Sequence, residues 1–290
     1  MKFTSVPSVS IGIPVYNGAL YINEAIDSLL AQSFSDFEIV ISDNASTDGT
    51  AEICQQYADR DPRIRYTRQA TNIGALENFK FVLREAIGGK FMWAAADDKW
   101  DKNWLDELVT AMERIGVGAA FGSVQSIDEK SDLLNHPANK TSFEYLGPTW
   151  WRRLRYFLQF EGGGKANPIY AVWRTADLRS INLDDYNFDY LIVFDMLMKT
   201  ELIGCSNTKI YKRIHSSCLG GDASRNRLNS WERLYRLFNQ FFVPVPPELT
   251  LGYLRYAREN QILFFSAIPL KYVISYYFMI RNSRVFRRVA

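Results

Sequence analysis

Three apolar runs in the first hundred residues each end in amide or carboxylate side chains. The runs, with the polar residues that follow or close them, are 9–15 with Asn17, 37–43 with Asp43, and 91–95 with Asp97 and Asp98. In an open α/β sheet, ligands bind outside the carboxyl ends of the strands. Three strands that deliver Asn and Asp to one edge therefore predict a single polar pocket there.

The segments around these runs predict the sheet and the helices that cover it. Apolar residues recur at helical spacing in 22–30, 76–87 and 104–115, and β-branched or apolar runs at 64–67 and 118–127 predict further strands. Strands that alternate with helices form right-handed βαβ units. We expect an α/β fold with a mostly parallel central sheet flanked by helices.

The second half of the chain has a less regular pattern. It predicts a strand at 169–173, a helix at 189–202 and a strand at 209–214, and from Trp231 onwards it is helical and aromatic. We therefore expect three parts: 1–128 as the ligand-binding half, 129–220 as the second half of the same domain, and 221–290 as a helical C-terminal extension.

Composition excludes several classes of protein. At 47% hydrophobic residues the chain buries a large core, and a net charge of +2 gives no case for nucleic acid binding. The three cysteines are widely spaced, which argues against a zinc cage or a disulfide framework. The start has no signal-peptide pattern, so we expect a cytoplasmic protein.

Four short segments occur in order and together resemble family 2 glycosyltransferases with the GT-A fold. They are 14–17 (PVYN), 43–50 (DNASTDGT), 72–74 (NIG) and 96–98 (ADD). The resemblance is strong over about 8–128 and weaker over 160–216. It implies an inverting transferase that moves a sugar from a nucleotide-diphosphate sugar to a hydroxyl of a glycan or lipid-linked acceptor, with the help of a metal.

The same resemblance implies a nucleotide site in the first half of the chain. Its residues are Pro14, Tyr16, Asn17, Asp43, Asn72 and Asp97. The Asp43 carboxylate at a strand end can accept a hydrogen bond from the base or the ribose. Asn17, beside Gly18 at a helix start, can present backbone N–H groups to a phosphate. Plain turn and cap roles for Asp43 and Asn17 stay open.

A divalent cation, Mn²⁺ or Mg²⁺, is implied at Asp97, Asp98 and His215, because oxygen ligands suit these ions. Arg213, in the segment before His215, is implied as a phosphate ligand. The chain departs from the family at Ala95 and Ala96, where acids are usual. That departure motivates an alternative, a degenerate nucleotide-sugar or glycan-binding module.

Asp195 is our candidate for the general base. It is a single carboxylate within an apolar helical segment, and a base takes the proton of the acceptor hydroxyl. Asp184, Asp185 and Asp189 are nearby competitors, and an ion-paired structural role for Asp195 is the alternative.

The C-terminal stretch has a signal of its own. Residues 262–280 are largely apolar, Pro269 and Lys271 interrupt them, and arginines follow at 281, 284, 287 and 288. The interruptions argue against a membrane span. Two interpretations stay open: contact of 262–290 with a membrane surface, which would put the protein on the inner face of the cell membrane, or docking onto the domain.

A sugar-phosphate nucleotidyltransferase is a further alternative on a related sheet. Such enzymes have a Gly-rich loop with an arginine after the first strand, whereas this chain has 14–18 (PVYNG). A dinucleotide dehydrogenase is disfavoured because no GxGxxG follows that strand.

Overall fold

The computed structural model describes residues 6–136, 138–139, 143–159, 164–185, 189–215, 247–257 and 261–286. The strands are β1 (Val9–Val15), β2 (Phe37–Asp43), β3 (Ile64–Arg68), β4 (Lys90–Trp93), β5 (Lys99–Trp100), β6 (Ala119–Ile127), β7 (Val172–Arg174) and β8 (Leu202–Arg213). The helices are α1 (Ile22–Leu30), α2 (Thr50–Arg60), α3 (Ala75–Glu85), α4 (Trp104–Ile115), α5 (Thr149–Leu158), α6 (Thr175–Arg179), α7 (Asp189–Lys199), α8 (Pro247–Tyr256) and α9 (Gln261–Phe286). Two 3₁₀ turns cover Asn167–Tyr170 and Leu183–Asp185.

The strands form one sheet in the order β3-β2-β1-β4-β7-β6-β8-β5. Strands β1 to β4 pair in parallel, and so do β6 and β8; only the short strands β5 and β7 pair antiparallel. The mostly parallel α/β sheet predicted from the sequence is thus confirmed. Because β7 runs against both β4 and β6, the carboxyl ends of β1, β2, β3, β4, β6 and β8 lie at one edge, which we call the C-edge.

The central strands are apolar because helices cover both faces of the sheet. Every residue of β2 is buried, and nearly every residue of β1. Helix α4 packs against β6 and β8, where a Cβ on Gly122 would lie 2.3 Å from the Trp104 ring. Glycine at 122 therefore permits this close approach of the helix to the strand.

Several predicted elements match closely, and two differ for identifiable reasons. Strands β1 and β2 and helix α4 have the predicted bounds. The predicted strand at 169–173 begins as a 3₁₀ turn that ends at Tyr170, because Pro168 suits the first positions of a helical turn, and the strand itself is Val172–Arg174. Strand β8 begins at Leu202, seven residues earlier than predicted, because its first half pairs with the start of β6.

Helices α8 and α9 dock on α5 and α7 through an aromatic cluster. Phe264 of α9 and Tyr253 of α8 meet Phe157 and Phe194 edge to face, with ring centroids 4.9–5.4 Å apart. Lys271 is fully buried and donates to the Phe157 carbonyl at 2.5 Å. One face of α9 is therefore docked on the domain, as one of the two interpretations expected. The predicted helix between Trp231 and 246 lies outside the described residues.

None of the helices in the described part of the chain combines the length and the apolarity needed to cross a membrane. For α9 the sequence gives the reason, since Pro269 and Lys271 lie in its middle.

Candidate active site

The C-edge gathers polar side chains from both halves of the chain. Asp97 and Asp98 follow β4, and Arg213 and His215 lie at the end of β8. Tyr170 comes just before β7 and Asp189 opens α7. These residues are up to 118 positions apart, and they meet because the parallel strands end at the same edge.

Asp98 is a buried carboxylate whose two oxygens both have donors. Lys212 Nζ donates to Oδ2 at 2.7 Å, and the backbone N–H of Arg213 donates to Oδ1 at 2.9 Å. The Asp98 side chain is only 2% exposed. Both Asp98 oxygens are therefore enclosed and already paired in this structure, and metal binding by Asp98 stays a prediction.

Lys212 and Asp98 act on each other's protonation in opposite ways. Burial raises the pKa of Asp98, and Lys212 opposes that shift. Burial alone would lower the pKa of Lys212, but the charge of Asp98 raises it overall. We take the pair as ionised near neutral pH, since a 2.7 Å contact and the Arg213 N–H both favour the carboxylate.

Two further groups adjoin Lys212. Its Nζ lies 4.2 Å from the centroid of the Tyr170 ring, and burial raises the pKa of the Tyr170 phenol to about 12, so the phenol is neutral at physiological pH. Asp189 is solvent-exposed at the start of α7. Desolvation raises the pKa of Asp189, and the charge of Lys212 lowers it in part.

Arg213 connects several elements of the C-edge through hydrogen bonds. Its guanidinium donates to the backbone carbonyls of Asp97, Asp128 and Glu129 at 2.9–3.2 Å. It also pairs with Glu24 of α1 at 2.8 Å, and Arg213 is only 3% exposed. All three guanidinium nitrogens already donate within the protein, and the phosphate role of Arg213 stays a prediction.

Asp97 and His215 are the pair that fits a cation. His215 Nε2 donates to Asp97 Oδ2 at 2.8 Å, and Asp97 keeps a side-chain exposure of 30%. Two donor atoms at that separation can bind one ion side by side. Within the described residues no group of three His, Cys, Asp or Glu side chains is arranged to hold a metal. A metal at this place would therefore complete its shell with diphosphate oxygens and water, as Mg²⁺ commonly does.

The loop after β1 is bonded to the loop after β2. The backbone N–H groups of Asn17, Gly18 and Ala19 donate to Ser46 Oγ, Thr50 Oγ1 and Asp48 Oδ2 at 2.8–3.1 Å. Asn17, at a left-handed φ of 52°, accepts the Thr47 N–H at 2.8 Å. Each of these amides therefore already has an acceptor in the protein, and their contact with a phosphate stays a prediction.

The other predicted nucleotide residues lie around the same corner. Asp43 is fully buried, accepts from Ser46 N and Tyr66 Oη at 2.9 and 3.1 Å, and has Arg68 Nε at 3.6 Å. Asn72 accepts from Asn44 Nδ2 at 3.0 Å and from Gly74 N at 2.9 Å. Tyr16 is half exposed, and Pro14 is partly exposed at the end of β1. Contact of these residues with a nucleotide stays a prediction.

Asp195 lies on α7 among residues of the core, with 1% exposure. It is buried, as its apolar surroundings predict, but so completely that an acceptor hydroxyl cannot reach it without rearrangement. Asp189, one of its competitors, lies six residues earlier at the exposed start of the same helix. The role of Asp195 as general base stays a prediction. The solvent exposure of Asp189 makes Asp189 the more accessible carboxylate of the two.

Sequence reasoning missed the contribution of Lys212, Tyr170 and Glu24. Lys212 directly precedes Arg213, which the sequence predicts to be a site residue. The alternation of side chains along β8 could have indicated that Lys212 contacts a different set of residues from Arg213. On a strand, Lys212 and Arg213 point to opposite faces. Nothing in the sequence pairs Glu24 with Arg213, which is 189 residues away.

Comparison with known sequences identifies the family. Residues 10–176 match the sequence profile of Glycosyl transferase family 2. A Rickettsia typhi protein described as an uncharacterized glycosyltransferase is 33% identical over 243 residues, 81% of this chain and 72% of the relative. This chain belongs to Glycosyl transferase family 2, a family of enzymes, and has the family's GT-A fold.

Solved structures agree on the fold. Staphylococcus aureus TarS 1–349 in complex with UDP superposes with a TM-score of 0.58 at 17% identity, covering 96% of this chain and 91% of that TarS fragment. The mannosyltransferase PcManGT of Pyrobaculum calidifontis, in complex with GDP-mannose and Mn²⁺, has a TM-score of 0.55 at 16% identity and covers 97% and 87%.

This chain covers less than half of the length of two other curated relatives. A putative teichuronic acid biosynthesis glycosyltransferase of Bacillus subtilis is 39% identical over 109 residues. The match covers 37% of this chain and 43% of that relative. A Rickettsia felis protein described as an uncharacterized glycosyltransferase is 33% identical over 151 residues. The match covers 48% of this chain and 24% of that relative.

Proposed function

We propose that this chain transfers a sugar from a nucleotide-diphosphate sugar to a hydroxyl group of a glycan or lipid-linked acceptor, with inversion at the anomeric carbon. The observation that carries the proposal is the meeting of three groups at the C-edge: Asp97 with His215, the Asp98–Lys212 pair, and the exposed Asp189. The family match and the UDP complex of TarS support a nucleotide-sugar donor.

The donor would lie along the first half of the C-edge. Pro14 and Tyr16 at the end of β1 would border the nucleoside, with Asp43 and Asn72 fixing the loops around it. Asp97 and His215 would hold a divalent cation, as the Mn²⁺ complex of PcManGT supports, and when bound it supplies positive charge to the leaving diphosphate. Lys212 would hold Asp98 in place beside Asp97.

Asp189 would act as the general base in a single displacement. It takes the proton of the acceptor hydroxyl while that oxygen bonds to the anomeric carbon from the side opposite the diphosphate. The bond from the anomeric carbon to the diphosphate oxygen breaks as the new bond forms, so the configuration inverts. The exposed start of α7, unlike Asp195 deeper in the helix, gives an acceptor access to the carboxylate.

The experiment compares Asp189→Asn with Asp195→Asn. Release of nucleoside diphosphate is measured from a panel of donors that includes UDP-GlcNAc and GDP-mannose, with simple glycosides as acceptors. We expect Asp189→Asn to lose about 10²-fold or more in kcat with nucleotide affinity unchanged. Asp184→Asn is the control, because Asp184 is an exposed neighbour paired with Lys80. Full activity in Asp189→Asn, with loss in a stably folded Asp195→Asn, would return the role to Asp195.

The pH profile of the unmodified enzyme tests the same assignment. A base acts when it is deprotonated, and desolvation raises the pKa of Asp189 above its ordinary value of 3.8. Activity should therefore fall, as the pH is lowered, at a higher pH than an ordinary aspartate would give. Lys212→Met removes a charge that lowers this pKa, so the fall should move to still higher pH, whereas Lys212→Arg should leave it in place.

A binding module without turnover is the second candidate function. Ala95 and Ala96 and the enclosed Asp98 leave Asp97 as the accessible carboxylate of this turn, which favours weak metal binding. Nucleotide binding with no diphosphate release across the whole panel would support that alternative and contradict the proposed transfer.

A further inference from the structure

Helix α9 is apolar on two opposite sides, and the domain covers one of them. On the inner side Phe264 is fully buried, Ile268 and Tyr272 pack against the core, and the polar Lys271 and Ser275 are buried among them. Ile262, Phe265, Val273 and Tyr277 lie on the opposite side and are 58–85% exposed. At 100° per residue these exposed positions form one stripe along the helix. A helix that is apolar all round is normally buried all round.

The exposed side continues onto α8. We define the outer face as Leu251, Ile262, Phe265, Leu270, Val273 and Tyr277. A cavity of about 370 Å³ opens between the two helices, lined by Leu254, Arg255, Gln261, Ile262 and Phe265. An apolar surface of this extent beside a basic residue marks an interaction site.

The charge of the segment limits what can cover the outer face. From 247 to 290 the sequence has seven Lys and Arg, one of them the inward-facing Lys271, and only two acids, Glu248 and Glu259. An isologous contact between two copies would bring two basic segments together, and such like-charge contacts are unfavourable. An apolar stripe flanked by basic residues instead matches the interface of a bilayer that contains anionic lipids.

We propose that the outer face of α8 and α9 docks on the surface of an anionic phospholipid bilayer. The apolar side chains enter the boundary between headgroups and acyl chains, and Arg255, which lines the cavity beside them, faces the lipid phosphates. The helix lies on the bilayer and does not cross it, because its inner side, Lys271 included, is occupied by α5. This inference is independent of the nucleotide site.

Vesicle flotation with the full chain tests the proposal. The vesicles are phosphatidylcholine alone, or phosphatidylcholine mixed with phosphatidylglycerol. We expect binding to the anionic vesicles to be about tenfold tighter or more, and to weaken at high salt. Phe265→Glu and Val273→Glu should each lower binding about tenfold or more. Ile115→Glu, the same change at a half-exposed helical position on α4, should bind like the unmodified chain.

Thermal unfolding verifies that each variant is folded, and because the changed side chains point to solvent we expect unchanged midpoints. Equal binding to both vesicle types would overturn the proposal, and so would anionic binding that neither substitution on α9 weakens. A third outcome is that the protein binds neither vesicle type and forms a dimer, detected by light scattering, that Phe265→Glu dissociates. That result would assign the outer face to a second copy and overturn the lipid assignment.

Discussion

Asp98 is a carboxylate that this fold encloses beside a lysine. The carboxyl group is 2% exposed, and its partner Lys212 retains 24% exposure towards the C-edge. A buried ion pair of this kind adds little net stability over an apolar pair, but removing one partner leaves the other charged and without compensation. The pair therefore fixes the turn after β4 in one conformation and sets the position of Asp97 next to it.

A double-mutant cycle at this pair gives the prediction at the scale of residues. Lys212→Met should lower the free energy of unfolding by about 3 kcal/mol, because Asp98 is left buried opposite a methionine. Adding Asp98→Asn should recover a large part of that loss, since the remaining amide carries no charge. Urea unfolding of the four proteins measures the coupling. Simple additivity of the two single losses would contradict a functional ion pair.

At this scale the sequence predicts the residue types of the site better than their partners. Asp97 and His215 were expected together and they do meet, because both follow strands that end at the same edge. The same expectation grouped Asp98 and Arg213 with ligands, whereas the structure uses them for internal bonds. Which donor takes which acceptor depends on separations of a few tenths of an ångström across more than 100 residues, and no local pattern encodes that.

The end of β8 is the element that connects the second half of the chain to the first. Through Arg213 it contacts α1, the turn after β4 and the loop after β6, and through Lys212 it contacts Asp98. The Tyr21 ring lies 4.5 Å from the Arg213 guanidinium and 5.0 Å from the His215 ring. The two halves of the C-edge are thus held in a fixed relative position.

Arg213→Ala tests this connecting role. Since three part-buried carbonyls would lose their donor and Glu24 would lose its ion-pair partner, we expect the variant to be less stable by about 2 kcal/mol or more. Arg68→Ala is a control, because Arg68 is also at the C-edge but 53% exposed, and its loss should cost far less. Urea unfolding makes the comparison. A fully stable Arg213→Ala that has lost only nucleotide affinity would restore the phosphate role.

Prediction of elements succeeded where the hydrophobic period was long and clear. Strands β1 and β2 are buried on both faces and read as continuous apolar runs, and α4 has a strong apolar face closed by Gly116 in the left-handed conformation. The prediction missed the first half of β8 because residues 202–208 include Gly204, Ser206 and Asn207, which no strand pattern favours. Its pairing with β6 is a tertiary effect.

As a whole, the molecule has a polar C-edge built on a parallel sheet and an apolar outer face on its last two helices. The sequence indicated both features. The ordered motifs predicted the polar C-edge, and the apolar stretch with its arginines predicted an apolar surface near the C-terminus. What it left undecided was whether α9 docks on the domain or on a membrane. The structure shows that the inner side of α9 docks on the domain. Because α9 has apolar residues on two sides, its sequence pattern alone could not tell which partner covers which side.

The most direct test of the central claim, a nucleotide-diphosphate site at the C-edge, is thermal unfolding with UDP, GDP, dTDP, CDP and ADP, each with and without Mn²⁺. At about 100 times Kd a ligand adds about 2.7 kcal/mol, and each kcal/mol raises the midpoint by about 2–4 °C. We expect one diphosphate to raise the midpoint by several degrees, more with Mn²⁺ than without, and Asp97→Asn and His215→Ala each to abolish the Mn²⁺-dependent part. No shift with any diphosphate, in either condition, would contradict the account.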